Sequence, residues 1–128
     1  MAEKSVQSRQ RRALRATLPE ELEKLAEDDY TMVRSSVASN TNTPVPLLEK
    51  LAEDEDSDVR GGVAGNTNTP VSLLEKLAED ENEDVRSYVV VSANTPVSLV
   101  KILAKDKHED VRSHLAASAN TQCFCTCC

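Results

Sequence analysis

The stretch LLEKLAEDEDSDVRGGVAGNTNTP, residues 47–70, decides the fold of this chain because its pattern returns with a fixed step of 26 residues. Its Leu-Glu-Lys-Leu-Ala-Glu-Asp segment begins at Leu22, Leu48 and Leu74, and a diverged copy begins at Val100. Four copies therefore occupy residues 18–121. A strict period of this length is typical of stacked supersecondary units, each of which buries its apolar face on its neighbours.

The first half of each copy predicts an α-helix. In the second copy, Thr43 and Pro44 have the residue types of an N-cap and a first helical position, because proline needs no amide partner there. Val45, Leu48 and Leu51 follow at three-residue steps, which makes an apolar stripe along one side. We expect this helix to begin at Pro44.

The second half of each copy predicts a shorter helix. Capping and turn residues at 54–57 interrupt the apolar pattern, and Val59, Val63 and Ala64 restart it. About two turns are available, and Gly61 and Gly62 weaken helical propensity, so the sequence leaves α and 3₁₀ geometry open. Each copy is thus one α-helix followed by one short α or 3₁₀ helix, and the fold class is an all-α solenoid of four two-helix repeats.

Two polar series keep the step of the repeat and predict structural ladders. An aspartate stands six residues ahead of an arginine in every copy, so carboxylate–guanidinium contacts are expected within one repeat or between neighbours. An asparagine series is expected to bond loop backbone groups. The members are Asp28, Asp54, Asp80 and Asp106; Arg34, Arg60, Arg86 and Arg112; and Asn42, Asn68, Asn94 and Asn120.

This repeat resembles that of the leucine-rich repeat variant family, over the part of the chain from Leu18 to Thr121, and its Asp-to-Arg spacing is also similar to that of HEAT repeats. The resemblance implies a right-handed superhelix that alternates an α-helix with a short 3₁₀-type helix, and a role as an interaction scaffold. A prototype of the family is linked to an iron–sulfur cluster held by cysteines in a segment ahead of its repeats. Residues 1–17 contain no cysteine, so that feature does not transfer.

The charge is distributed unevenly. The chain has a net charge of -7, yet residues 1–15 carry five basic residues against one acidic residue. An acidic body repels phosphates, so nucleic acid is an unlikely partner for the repeats, although the basic arm is able to touch an anionic partner. No apolar run approaches the ~20 residues that span a bilayer, and a signal peptide is lacking, which predicts a cytoplasmic protein without a transmembrane segment.

The ends of the chain depart from the repeat. Residues 1–17 are expected to form a basic arm or a capping helix for the first repeat, whereas nothing comparable closes the C-terminal face. Self-association through that face is therefore a hypothesis.

All four cysteines lie in the tail, residues 122–128. As soft ligands they suit zinc or Cu(I), but a tail without a selected role, lipidation and disulfide pairing also remain open. They are Cys123, Cys125, Cys127 and Cys128.

Binding residues are expected where the copies differ while the framework stays fixed. Two such strips lie on the second helix, and within them we select Tyr88, His114, Val91, Ser36 and Gly62 as candidate partner-binding residues. Tyr88 is the best anchor, because a rigid aromatic ring with a polar tip contributes strongly at interfaces. The prediction is a non-enzymatic module that binds a protein or peptide in a shallow concave strip. The alternative is a metal- or redox-responsive protein that works through its cysteine tail, with the repeats as carrier.

Overall fold

The computed structural model describes residues 5–117, and in this part of the chain the only regular secondary structure is helical. The prediction of an all-α chain is confirmed for these residues. The helices are α1 (Val6–Arg15), α2 (Pro19–Leu25), α3 (Thr31–Ser39), α4 (Val45–Leu51), α5 (Ser57–Gly65), α6 (Val71–Leu77), α7 (Glu83–Val91), α8 (Val97–Leu103) and α9 (Glu109–Ala117).

Seven-residue and nine-residue helices alternate after α1. Each sequence repeat supplies one of each, and both kinds are α-helical. Two of the nine-residue helices begin at a polar side chain that caps the backbone: Asp56 accepts from the Asp58 amide, and Asn82 accepts from those of Asp84 and Val85, whereas α3 begins after Tyr30 without a side-chain cap. These caps explain why α5 and α7 begin directly after the polar turn.

The start of the seven-residue helices differs from the sequence prediction. In the second repeat the helix begins at Val45, and Pro44 is the N-cap in extended conformation with φ −70° and ψ 154°. Thr43 does not cap this helix. Its buried hydroxyl donates to the carbonyl of Val37 at 2.6 Å, and so satisfies a backbone oxygen near the end of the preceding helix. Thr69 and Thr95 repeat this bond at the same distance.

The apolar stripe of these helices is also displaced from the prediction. Val45 is 38% exposed, whereas Leu47 is 6% exposed. Because Val45 is the first residue of the helix, its side chain lies at the rim, and Leu47 joins Leu48 and Leu51 in the core.

The core is one continuous cluster of leucine, valine and alanine. α1, α3, α5, α7 and α9 pack each on the next, and every seven-residue helix contacts the longer helices before and after it. Fully buried residues recur at the same repeat positions, such as Val33, Val59 and Val85. With so few aromatic side chains, close packing of helices is what removes apolar area from water.

Candidate functional site

Bidentate ion pairs join each repeat to the following one. The Nε of Arg34, Arg60 and Arg86 donates to the aspartate one repeat later, and the distances to Asp54, Asp80 and Asp106 are 2.9, 2.7 and 2.7 Å. Their Nη2 groups donate to the second oxygen of the same carboxylates, at 3.3, 3.1 and 3.1 Å. Such paired charge-assisted bonds fix geometry as well as adding energy.

The same arginines also bind their own repeat. Nη1 of Arg34, Arg60 and Arg86 donates to the backbone carbonyl of the aspartate six residues earlier, at 2.8, 2.8 and 2.7 Å. Each guanidinium therefore bridges two repeats. Arg112 keeps the bond within its repeat, to the carbonyl of Asp106 at 2.5 Å.

Helix α1 provides the first arginine in this series of arginine–aspartate pairs. Its Arg9 donates from Nε to Asp28 at 2.6 Å, and its guanidinium lies over the ring of Tyr30 at 5.4 Å from the centroid. Arg12 pairs with Glu21 at 2.8 Å. These contacts hold the basic N-terminal helix against the first repeat.

Two of the paired carboxylates, Asp28 and Asp106, have lowered pKa values. Burial acts to raise the pKa of Asp28 and of Asp106, but hydrogen bonds from Arg9 and Arg86, from backbone amides and the nearby positive charge outweigh it and hold both below the ordinary value of 3.8. The hydrogen bond to Asp54 raises the pKa of Arg34. These carboxylates are therefore fixed acceptors at neutral pH, which suits a structural role.

A second ladder of amide groups runs through the loops. Asn42 donates to the carbonyl of Ala16 at 3.2 Å, Asn68 to that of Thr41, and Asn94 to that of Thr67. The bonds of Asn68 and Asn94 reach the loop of the preceding repeat, and the bond of Asn42 reaches the C-cap residue of α1. Asn120, the last member of the predicted series, lies outside the described residues.

Sequence reasoning missed the buried asparagines beside this series. Asn40 and Asn66 are 4% and 2% exposed. The amide of Asn66 donates to the carbonyls of Ala38 and Asn40 at 2.7 and 2.9 Å, and its oxygen accepts from the Asn68 amide at 2.8 Å. The series was overlooked because the third repeat has Ser92 at this position.

The residues predicted to bind a partner differ in their exposure. Tyr88 is 49% exposed and Val91 47%, His114 is exposed, and Gly62 is half-buried. Ser36 was assigned to this surface wrongly. It is 5% exposed, and its hydroxyl donates to the carbonyl of Met32 at 2.9 Å, so it lies beneath the surface that its neighbours form.

The ring of Tyr88 lies next to two glycines of α5, Gly61 and Gly65. A Cβ placed at Gly61 would stand 2.8 Å from Cδ2 and 3.0 Å from Cε2 of the ring, and one at Gly65 would stand 4.0 Å from Cδ1. Gly61 and Gly65 are four residues apart on α5, so they share one face of the helix. The ring from α7 therefore occupies space that a side chain on α5 would otherwise fill.

Shallow clefts lie on both sides of this ring. One, of about 440 Å³, runs between α3 and α5 and is lined by Ser35, Ser39, Asp58, Gly61, Gly62, Gly65 and Tyr88. The other, of about 330 Å³, runs across α5, α7 and α9 and is lined by Asp58, Asp84, Ser87, Tyr88, Val91 and His114. Most of the positions that vary between repeats thus meet around Tyr88.

Ser87 is a buried hydroxyl with an unusual environment. It is 6% exposed and lines the cleft with His114, and its Oγ has no hydrogen-bond partner among the described residues. The serines at the same repeat position behave differently: Ser35 donates to the Met32 carbonyl at 3.2 Å and Ser113 to the Glu109 carbonyl at 3.0 Å. An unsatisfied buried hydroxyl costs about 1–3 kcal/mol of stability, so a ligand atom that hydrogen-bonds to Ser87 removes part of this cost.

A third depression, of about 320 Å³, lies against α1. Its lining includes Arg11, Arg12, Arg15 and Glu21, and Arg12 is already paired with Glu21. It is basic, in contrast to the clefts around Tyr88.

The cysteine tail can be placed only in the sequence. Cys123, Cys125, Cys127 and Cys128 lie outside the described residues, so the zinc or Cu(I) hypothesis stays a prediction. Within residues 5–117 no group of three or more His, Cys, Asp or Glu side chains is arranged to hold a metal ion. In that same range no helix has the length and apolar character that crossing a lipid bilayer requires.

No family model, curated protein or solved structure matches this chain.

Proposed function

We propose that this protein is a non-enzymatic interaction module: a short right-handed α-solenoid of four repeats, of the leucine-rich repeat variant type, that binds a protein or peptide. The binding surface is the groove formed by the two clefts and the Tyr88 ring between them, on the nine-residue helices. We call it the Tyr88 groove.

The observation that carries the proposal is the separation of repeated from variable residues. The regular arginine, aspartate and asparagine series is used in bonds between repeats, as in the pair of Arg60 with Asp80. Most of the positions that vary line the two clefts around Tyr88. This division is what a repeat scaffold uses to vary its partner while keeping its framework.

The composition of the groove fits a peptide better than a small molecule. Tyr88 and Val91 supply exposed apolar area, while Ser35, Ser39 and the glycines leave a shallow floor. An open groove with one rigid aromatic anchor is typical of surfaces that receive an extended segment or a helix, whereas small-molecule sites are more enclosed.

Selection from a random peptide library displayed on phage tests the proposal. The full chain and its Tyr88→Ala variant are used as baits, and Ile102→Ala is the control because Ile102 is exposed and lines neither cleft. We expect peptides that enrich on the parent and on Ile102→Ala but not on Tyr88→Ala. Peptides that enrich equally on all three proteins would refute the Tyr88 groove as the binding surface.

A second comparison separates this proposal from a function in the cysteine tail. Replacing all four cysteines by serine in the full chain is expected to leave peptide binding unchanged. A loss of peptide binding in that variant would indicate that the peptide binds to the tail and not to the groove.

A further inference from the structure

The cleft between α5, α7 and α9 has the chemistry of a site for a positively charged group. Asp58 lies at the start of α5 and Asp84 at the start of α7, both are exposed, and both line the cleft. Neither carboxylate forms an ion pair with another described residue. Two unpaired carboxylates beside an open cleft give a local negative potential that attracts a cation.

The remaining polar groups of the cleft also suit a hydrogen-bond donor. His114 has its Nδ1 2.7 Å from the carbonyl of Asp110, and since a carbonyl only accepts, Nδ1 carries the proton. In the neutral imidazole the other nitrogen, Nε2, is then an acceptor. The hydroxyl of Ser87 is able to accept as well, and no described residue donates to it.

Tyr88 adds an aromatic face to these acceptors. A guanidinium stacks on such a face while its five N–H donors remain free for carboxylates and hydroxyls. The chain itself contains this arrangement elsewhere: Arg9 lies over the Tyr30 ring at 5.4 Å and donates to Asp28 at 2.6 Å. An arginine held between a tyrosine ring and an aspartate is thus a geometry that this protein already uses.

We propose that the cleft binds an arginine side chain of the partner peptide, with its guanidinium between Asp58, Asp84 and the Tyr88 ring, and within reach of Ser87. This inference rests on the proposed function, because it names the residue type that the Tyr88 groove recognises. The net charge of -7 favours the approach of such a basic segment.

Fluorescence anisotropy with matched peptides tests the inference. The probe is a short fluorescein-labelled Gly/Ser peptide with two arginines, and its twins carry citrulline, which is nearly isosteric but neutral, or lysine. We expect the arginine peptide to bind the full chain at least about tenfold tighter than the citrulline twin, since the charged bonds are lost in the latter. Tighter binding of the lysine twin would overturn the choice of arginine.

Variants of the cleft are compared with a charge-matched control. Asp84→Asn and Asp58→Asn are expected to remove most of the preference for arginine over citrulline. Asp29→Asn makes the same change of net charge at an exposed residue that lines neither cleft, and it is expected to keep the preference. A preference that falls equally in all three variants would reduce the effect to overall charge and overturn the site.

Ser87→Ala provides a readout that a purely structural role does not produce. Removal of an unpartnered buried hydroxyl is expected to leave the midpoint of urea unfolding unchanged or to raise it. The same substitution is expected to lower the affinity for the arginine peptide by about threefold. A variant that is less stable but binds the peptide as well as the parent would contradict the assignment of Ser87 to the site.

Two further outcomes separate this inference from the proposed function. If the library yields peptides that depend on Tyr88 but contain no basic residues, the groove stands and the arginine site fails. If sedimentation reveals a dimer of the free protein that Asp84→Asn disperses, the basic α1 of a second copy is the occupant, and the claim of a separate peptide partner is overturned.

Discussion

The ring of Tyr88 rests where a side chain of Gly61 would stand, with its Cδ2 only 2.8 Å from a Cβ built on that glycine. The two residues lie on neighbouring helices and come from neighbouring repeats. The position of the ring in the groove therefore depends on the absence of a side chain one repeat earlier. We therefore expect the effects of substitutions at Gly61 and at Tyr88 on stability to depend on each other.

Gly61→Ala should reveal this coupling. Alanine gains about 1 kcal/mol of helix propensity over glycine, but in the parent that gain is offset because the ring has to move. In the Tyr88→Ala background the clash is gone, so the substitution should stabilise by about 0.5–1 kcal/mol. Urea unfolding of the four proteins in the cycle measures the difference. Gly65→Ala, whose Cβ would keep 4.0 Å from the ring, is the control, and equal effects of Gly61→Ala in both backgrounds would refute the coupling.

Arg86→Ala and Arg112→Ala should differ strongly in stability. Both arginines donate to the backbone carbonyl of the aspartate six residues earlier, but only Arg86 also clamps an aspartate of the following repeat, where both side chains are less than a tenth exposed. Loss of Arg86 leaves Asp106 buried and unpaired, which costs about 3 kcal/mol or more. Loss of Arg112 should cost about 1 kcal/mol, as for an exposed hydrogen bond. Similar unfolding free energies for the two variants would contradict the importance of the clamp.

Stability should fall in acid because of the clamped carboxylates. The pKa of Asp106 is held below 3.8, so the unfolded chain takes up protons at a higher pH than the folded chain does. The contribution is fully present above about pH 4 and is lost as the pH falls through the lower, folded value. The free energy of unfolding, measured from pH 7 to pH 2.5, should depend less on pH in Asp106→Asn than in the parent. A pH dependence in Asp106→Asn as steep as that of the parent would contradict this contribution of Asp106.

Asn66→Ala should destabilise more than Asn68→Ala. The side chain of Asn66 is buried and makes three hydrogen bonds with backbone groups, two of them to carbonyls of the preceding repeat and its loop. Its removal takes this donor from the Ala38 carbonyl, leaves the Asn40 carbonyl with the Thr43 amide alone, and removes the acceptor of the Asn68 amide, at a cost of about 2–4 kcal/mol in total. Asn68 is exposed and water can replace its bond, so about 1 kcal/mol or less is expected. Thermal or urea unfolding that ranks the two variants in the opposite order would contradict this assignment.

The periodicity of the sequence predicted the helices well but predicted poorly the residues at which they begin. The 26-residue step and the spacing of Leu48, Leu51, Val59 and Val63 suffice to predict paired helices, because apolar spacing reports directly on burial. The prediction that Thr43 caps the start of α4 is wrong. A threonine before proline suits the start of one helix as well as the end of the preceding one, and only the fold shows that its hydroxyl donates to the carbonyl of Val37 in α3.

The contacts between repeats could not be predicted from one repeat. Sequence spacing places an aspartate six residues before each arginine, but the side-chain pair forms with the aspartate twenty residues later, as in Arg60 with Asp80. Ser36 and Tyr88 occupy equivalent positions, yet Ser36 is buried and Tyr88 is half-exposed. Packing of neighbouring helices decides such differences, and a single sequence without its fold does not contain them.

The dissociation constant of a selected peptide for the parent and for Tyr88→Ala is the most direct test of the central claim. Calorimetric titration with the tightest peptide from the parental selection measures both values, and circular dichroism verifies that the variant remains helical. The account predicts that Tyr88→Ala weakens binding by about tenfold or more, as expected of an aromatic anchor. Equal dissociation constants for the two folded proteins would contradict the claim that the Tyr88 groove is the binding surface.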